Sequence, residues 1–368
     1  MNKSIWEDYL NKKEFPKLNE NIETDILVIG GGISGILNAR KLQDSGYNVI
    51  LVEKNKIGTG TTSKTTAFLT AQHETLYQDM ALDKAKEYLE LNNKAFLEYV
   101  ELSKKYYFDF EYTNSCLFSK AFDTIYKEYS ILKKIGHDVE ILDDIPLFPL
   151  HKGIVFKNQA IINPIKLINV LSKDLKIYEH TEVVNLESNY AILKNGKIIK
   201  FKNAIITTHY PINNKLNLLF MKLTQRKSYV VAVKSKNISG TYCNIDNNGM
   251  YFRMYKDYLI IGGNDRDTGC ICKNEFKNKV IELLNIKLDD IEYSWTGQDC
   301  ITLDGVPYIG YSNVFHKNHI IVTGFNLWGF TWAMASTNIV LKILKENNIC
   351  KLTKLQRIKV NKNLLKNI

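Results

Sequence analysis

Six consecutive residues, Gly30-Gly31-Gly32-Ile33-Ser34-Gly35, constrain the fold of this chain more than any other stretch. An apolar run of buried-strand length, Ile26 to Ile29, precedes them. Ile36, Leu37, Ala39 and Leu42 follow at helical spacing, and Gly46 stops that helix. Tyr47 to Val52 reads as a second strand ending in Glu53, which completes a β-α-β unit. In Gly30-x-Gly32-x-x-Gly35 the first glycine permits the tight turn and the second lets backbone N–H groups reach a pyrophosphate. The third lets helix and strand pack closely. The helix N-terminus then offers free N–H groups and a positive dipole end to phosphates. Glu53 is placed to accept hydrogen bonds from an adenosine ribose and would repel a 2′-phosphate, so the pattern predicts a dinucleotide other than NADP.

Further elements follow in order. Leu82 to about Tyr107 is charged and helical, with Leu89, Phe96, Leu97 and Val100 on one face. A second helix is expected over Phe122 to Ile135, a strand over Val155 to Ile162, and a helix opened by Pro164 and running through Leu171. Ile177 to Leu186 and Ala204 to Thr208 read as strands. Tyr229–Val233, Met250–Tyr255 and Tyr258–Ile261 predict a small antiparallel sheet, its last pair turning at Lys256-Asp257. His319 to Val322 is a further strand and Thr331 to Leu344 a final helix. The expected fold class is α/β: a discontinuous Rossmann-like domain over residues 1–82, 150–212 and 296–368. An inserted α+β substrate domain, built on an antiparallel sheet, is expected over 83–149 and 213–295.

Composition narrows the class. The 368 residues are 45% hydrophobic and 24% charged, as in globular proteins. Lys and Arg outnumber Asp and Glu by 49 to 39, but the basic residues are interleaved with acids, so no nucleic-acid groove is read. The tail from Lys351 to Ile368, with six Lys/Arg and no acid, reads as solvated. The start, MNKSIWEDYL, does not resemble a secretory signal. The stretch Asn318 to Leu341 is broken by Gly324, Asn326, Gly329, Ser336 and Asn338, which argues against a membrane span. Six cysteines without an export signal predict free thiols and a cytoplasmic location. Cys270-Ile271-Cys272 and His316-x-x-His319 lack further ligands at metal-site spacing, so no metal is expected.

The segment Ile57-Gly58-Thr59-Gly60-Thr61-Thr62-Ser63-Lys64-Thr65-Thr66-Ala67 permits close backbone approach and offers hydroxyls to phosphate, ribitol or ring heteroatoms. Here the chain resembles the D-amino-acid oxidase and glycine oxidase type of FAD-dependent oxidoreductase. The resemblance rests on GGGISG, Leu51-Val52-Glu53-Lys54 and the hydroxyl-rich loop through His73. It continues through Ile162-Asn163-Pro164, His180-Thr181-Glu182-Val183-Val184 and Ala204-Ile205-Ile206-Thr207-Thr208-His209. It closes with Thr302-Leu303-Asp304-Gly305-Val306-Pro307 and Thr323-Gly324-Phe325, so the blocks span Trp6 to Leu344 in family order. Within that family the chain is most similar to members carrying a C-terminal Rieske iron–sulfur domain, which share Ser4-x-Trp6 and Phe15-Pro16. The sequence contains no Cys-x-His and stops early, so it is expected to lack that domain.

The resemblance implies non-covalent FAD. Contacts are expected from Gly30, Gly32, Ile33, Ser34, Gly35, Glu53 and Lys54, and from Gly60, Thr61, Thr62, Thr65, Thr66 and Ala67. Val183, Thr207, Thr208 and Asp304 are expected to join them, as are Gly324, Leu327, Trp328, Gly329, Phe330 and Thr331. The last group, leading into a helix, could supply positive potential beside the flavin N1–C2=O edge. Cys300 does not stand at the offset from Asp304 that covalent attachment in relatives uses.

A flavin enzyme needs placement and electrostatics more than acid–base machinery. Amino-acid oxidases of this family fix the substrate carboxylate with an arginine just before the Asp-Gly-x-Pro motif. Here Gln298-Asp299 stands in its place, and an anionic Asp299 would repel a carboxylate. The expectation is hydride transfer from a C–N bond of a small amine or amino-acid-like substrate to FAD, with oxygen or a separate electron acceptor downstream. Arg253 and His73 are the candidate catalytic residues, with Arg226, Tyr229 and Lys64 behind them. The alternatives are an electron-transfer flavoprotein serving a separate redox partner and a non-catalytic flavin-fold binding protein; oligomeric state stays open.

Overall fold

The computed structural model describes residues 3–11, 14–212, 218–235, 238–268, 273–312 and 317–357. Its first sheet follows from the glycine-turn unit. The strands Ile22–Ile29 and Val49–Val52 pair in parallel, flanking the helix Ile33–Asp44 in sequence. The order across the sheet is Tyr308–Tyr311, His319–Thr323, Ile198–Ile206, Ile22–Ile29, Val49–Val52 and Lys176–Tyr178. All neighbours are parallel except the first pair. Ile26 to Ile29 are buried on both faces, as central parallel strands must be. A hairpin, Val183–Leu186 with Tyr190–Leu193, attaches to Ile198–Ile206. The single strand expected over Ile177 to Leu186 is therefore two, divided by a turn in which His180 takes φ 51.

The second sheet is larger than expected. Its nine strands run Ile291–Thr302, Leu223–Lys234, Tyr258–Asp267, Met250–Tyr255, Thr241–Asn244, Glu111–Ser119, Lys152–Ile161 and Phe68–Leu69, with Val139–Leu142 on Lys152–Ile161. It is antiparallel but for one parallel pair, Thr241–Asn244 with Glu111–Ser119. The hairpin at Lys256-Asp257 falls as expected. Strands with mixed polar faces, such as Glu111–Ser119 and Ile291–Thr302, show no clean alternation of buried and exposed residues, which hides them in the sequence. Lys152–Ile161, expected beside the nucleotide unit, pairs in this sheet, and Ile291–Thr302 runs through the expected boundary at 295/296.

Helices fill the space between and around the sheets. Pro164–Leu171 starts where Pro fixes the first turn, and Asn163 Oδ1 accepts from the Ile165 and Lys166 amides at 3.1 and 3.0 Å. The final helix, Gly329–Glu346, is buried along most of its length and meets Ile33–Asp44 through Asn38 Nδ2, which donates to Ser336 Oγ at 2.8 Å. Among the described residues, no helix is long and apolar enough to cross a membrane, and no group of three or more His, Cys, Asp or Glu could hold a metal. Cys270, Cys272 and His316 lie outside the described residues, as does the tail beyond residue 357. His319 is buried, with Nε2 3.1 Å from the Glu187 carbonyl.

Candidate active site

The two sheets bound one cavity of about 550 Å³. At its nucleotide end Gly30 adopts φ +109, and a Cβ there would lie 2.7 Å from the Thr207 carbonyl oxygen. Thr207 Oγ1 donates to the Ile29 and Gly30 carbonyls at 2.9 and 3.1 Å, pinning the turn. Gly35 does not line the cavity. It faces the strand, where a Cβ would come within 1.9 Å of the Gly30 carbonyl oxygen, so its part is helix–strand packing. Gly30, Gly32, Ile33, Ser34, Glu53 and Lys54 do line it, as do Val183, Thr207 and Thr208. Glu53 is oriented by two amides: Oε2 accepts from Gly31 N at 2.7 Å and Oε1 from Asn55 N at 2.8 Å.

The hydroxyl-rich loop forms the next wall, with Gly60, Thr61, Thr62, Thr65 and Thr66 facing the cavity. Thr62 Oγ1 accepts from the Ile33 amide at 3.0 Å, joining the loop to the start of the first helix. Three successive carbonyls of this loop are held from behind. Trp295 Nε1 donates to Lys64 O at 3.0 Å, Trp6 Nε1 to Thr65 O at 2.6 Å, and Arg253 Nε to Thr66 O at 2.6 Å. Ala67 follows in the left-handed region, φ 61, fully buried and off the cavity.

The opposite wall is the entry to the final helix. Gly324, Asn326 and Leu327 take φ 74, 53 and 74, a run of left-handed residues that Asn326 braces. Its Oδ1 accepts from Thr302 N at 2.7 Å and its Nδ2 donates to Gly324 O at 2.8 Å. No side chain caps the helix, and Gly324, Leu327, Trp328, Gly329 and Phe330 line the cavity. The first-turn N–H groups of an 18-residue helix thus meet the cavity with their positive dipole end. Thr331 lies outside the lining, its Oγ1 3.2 Å from His73 Nε2.

Three further expected site residues lie outside the cavity lining, and a fourth stands on its rim. His73 is buried behind Trp328, whose ring stacks on it at 4.9 Å. Its Nε2–H donates to Thr70 O at 3.0 Å, and its Nδ1 accepts from the Tyr88 hydroxyl at 2.7 Å. Tyr88 in turn accepts from Trp332 Nε1 at 2.9 Å. Burial holds the imidazole near a pKa of 3, so it is a neutral brace with both nitrogens engaged. Arg253 is fully buried. Besides Thr66 O it donates to Ile162 O at 3.1 Å, and its guanidinium lies over the Trp6 ring at 5.2 Å. It therefore stands outside the cavity lining, not in it as the anion-clamp expectation had it. Asp304 forms a two-point ion pair with Arg357, at 2.7 and 3.0 Å, and turns away from the cavity. Lys64, on the cavity rim, is paired with Glu7 at 2.7 Å.

The remaining wall belongs to the second sheet and was only partly foreseen. Asp299 lines it as the sequence suggested, but Glu74, Ser228, Cys243 and Tyr251 join it unannounced. Burial, with Asp265 adding repulsion, pushes both the Glu74 and Asp299 carboxyls up to about 7. Asp265 stands just behind, accepting from the Tyr251 hydroxyl at 3.3 Å, and burial raises it too. Cys300 lines the cavity as a thiol raised to about 12 by burial, which suits it poorly to a thiolate role. The signals missed were local: Glu74 is the neighbour of His73, and Tyr251 shares a strand face with Arg253 two residues on.

Residues 25–341 match the DAO family of FAD-dependent oxidoreductases. The chain belongs to that family. FAD is its cofactor, and the protein is an FAD-dependent oxidoreductase. It is 28% identical over 375 residues to Bacillus subtilis YhfW, named as a Rieske 2Fe-2S iron-sulfur protein, covering 94% of this chain and 73% of that one. The gamma-glutamylputrescine oxidoreductase of Escherichia coli is 21% identical over 372 residues, 90% of this chain and 86% of the relative. Among solved structures, glycine oxidase from Geobacillus kaustophilus superposes with a TM-score of 0.75 at 17% identity, covering 92% of this chain and all of that one. L-proline dehydrogenase from P. horikoshii gives 0.75 at 21%, covering 91% and 96%.

The residues present fit the cofactor. The glycine turn leaves room where a Cβ would intrude, the Ser34 hydroxyl on the cavity wall is buried without a partner, and the final helix opens uncapped. Such a cradle suits a long anionic dinucleotide with a polar ring edge.

Proposed function

We propose that the chain oxidises a C–N bond of a small cationic amine, with Gly30–Ser34, Glu53 and the Gly60–Thr66 loop holding the nucleotide part of FAD. The Gly324–Phe330 entry would hold the ring end. FAD, when bound, supplies the hydride acceptor. One observation carries the choice of amine over amino acid: Glu74 and Asp299 line the same cavity as that entry, while Arg253 is buried off it with Nε and Nη2 on backbone carbonyls. A carboxylate would be repelled there and an ammonium attracted.

Hydride loss from the amine carbon requires the neutral amine, so the ammonium must first give up a proton. Carboxyls held near 7 are matched to accept it at neutral pH. The resulting iminium takes up water and releases a carbonyl product and ammonia. The named activity of the Escherichia coli relative on an amine-bearing substrate agrees with this reading. The Rieske name of the Bacillus relative supports a separate electron acceptor downstream, with oxygen as the other candidate.

The test is anaerobic addition of amines and of matched amino acids to the purified yellow protein. Bleaching by amines and not by amino acids supports the reading; bleaching by amino acids alone rejects it. Readmitted air then separates the acceptors: fast recolouring indicates oxygen, and slow recolouring with fast dye reduction indicates a partner.

A further inference from the structure

Of the three donors that hold the loop carbonyls from behind, one carries a charge. Trp295 and Trp6 are neutral, whereas Arg253 brings a guanidinium. It is fully buried, and among the described residues no carboxylate pairs with it. The acids nearest to it are engaged elsewhere or face water: Asp109 pairs with Lys166 at 2.7 Å, Glu7 pairs with Lys64 at 2.7 Å, and Glu111 is exposed. Its Nη1 makes no hydrogen bond, and the guanidinium otherwise meets the rings of Trp6 and Tyr255 at 5.2 and 5.8 Å. Burial pulls the group down to about 9, which still leaves it cationic at neutral pH.

A chain of hydrogen bonds leads from this charge to the cavity. Arg253 Nε donates to Thr66 O at 2.6 Å and so polarises the peptide that joins Thr66 to Ala67. The N–H of that same peptide, on Ala67, donates to Thr65 Oγ1 at 2.9 Å. In such a chain each bond strengthens the next, so the Thr65 hydroxyl becomes a better donor in turn. Thr65 lines the cavity, and no described group accepts its hydroxyl proton. The loop runs from the helix start, where Thr62 meets the Ile33 amide, to the substrate wall, where Phe68 packs edge-on against Tyr251 at 6.5 Å. Thr65 stands toward the second of these ends.

We propose that the Thr65 hydroxyl donates a hydrogen bond to the flavin ring, and that Arg253, acting through the Thr66–Ala67 peptide, is the positioning residue that strengthens this bond. Hydride transfer adds two electrons and one proton to the oxidised ring and leaves it with one negative charge. A donor polarised by a buried cation favours that reduced form over the oxidised one. The role depends on the ring lying at the Gly324–Phe330 end, as in the reading above, and not on which substrate reduces it.

Midpoint potentials of the flavin-loaded full chain, from anaerobic equilibration against a reference dye, test this without substrate. Thr65→Val is expected to lower the preference for the reduced cofactor about tenfold, which is ~30 mV for a two-electron couple. Thr65→Ser keeps the hydroxyl and should restore the parent potential. Arg253→Met should lower the potential in the same direction and Arg253→Lys by less, and Arg253→Met should add little once Thr65→Val is present. If the Arg253 variants shed flavin, the two Thr65 variants carry the test alone. A potential unchanged by Thr65→Val overturns the proposal; a simultaneous loss of FAD affinity would then place the hydroxyl on the nucleotide part. An Arg253→Met shift of the same size with and without Thr65→Val overturns the relay. None of these outcomes bears on the amine reading, which the bleaching experiment decides separately.

Discussion

The two walls of the cavity are built by different means. The nucleotide wall is backbone: a glycine turn, an uncapped helix start and a loop whose carbonyls are pulled back by Trp295, Trp6 and Arg253. The substrate wall is side chain: one residue each from a turn, three strands and a sheet irregularity. Backbone cradles tolerate little steric change, whereas the acid wall should tolerate steric change better and respond most to altered charge. That contrast is open to direct attack.

The largest effect is expected at Gly35. A methyl at 1.9 Å from the Gly30 carbonyl has nowhere to go, so Gly35→Ala should cost at least ~3 kcal/mol and abolish flavin retention, read by thermal unfolding and bound absorbance. Arg253→Ala comes next. It strips donors from Thr66 O and Ile162 O and empties a buried site, so about 3 kcal/mol of stability and tight flavin binding should go. If the variant keeps its flavin and instead loses affinity selectively for carboxylate substrates, the residue belongs to the substrate wall after all. Glu53→Gln keeps the shape and one oxygen, and is expected to weaken FAD about tenfold by equilibrium dialysis.

The acid wall gives a pH signature instead. Burial raises the Glu74 and Asp299 carboxyls from 4.5 and 3.8 to about 7, which favours their neutral forms in the folded protein. The stability this lends is complete below about pH 4 and drains away as pH climbs through 7. Unfolding temperature should therefore fall across that window, and the fall should shrink when Glu74→Gln and Asp299→Asn are combined. The smallest effect is Trp6→Phe: one hydrogen bond to Thr65 O lost, about 1 kcal/mol, with the flavin retained.

The same contrast governs what could be read from sequence. A backbone cradle needs contiguous residues of particular type, so the turn from Gly30 to Gly35, the threonine loop and the Gly324–Phe330 entry all announced themselves. A wall of single side chains leaves no such trace. Glu74 stands alone in a turn, and Ser228 faces the cavity with Val230 on one strand face, a pairing that marks a strand but not a site. His73 stands out by following the hydroxyl-rich loop, and Arg253 by its place on a strand of the second sheet. Their burial among Tyr88, Trp328 and Trp6 turns chemistry-bearing side chains into struts. Asp304 misled differently: it sits in a family motif, yet its carboxylate is consumed by Arg357 from near the end of the chain.

A crystal structure with FAD bound tests the central claim most directly. The account predicts the isoalloxazine against the Trp328–Phe330 entry, with its open face toward Glu74 and Asp299 and the ribose at Glu53. A ring seated away from that helix start, with both carboxyls shielded from it by protein, would contradict the account.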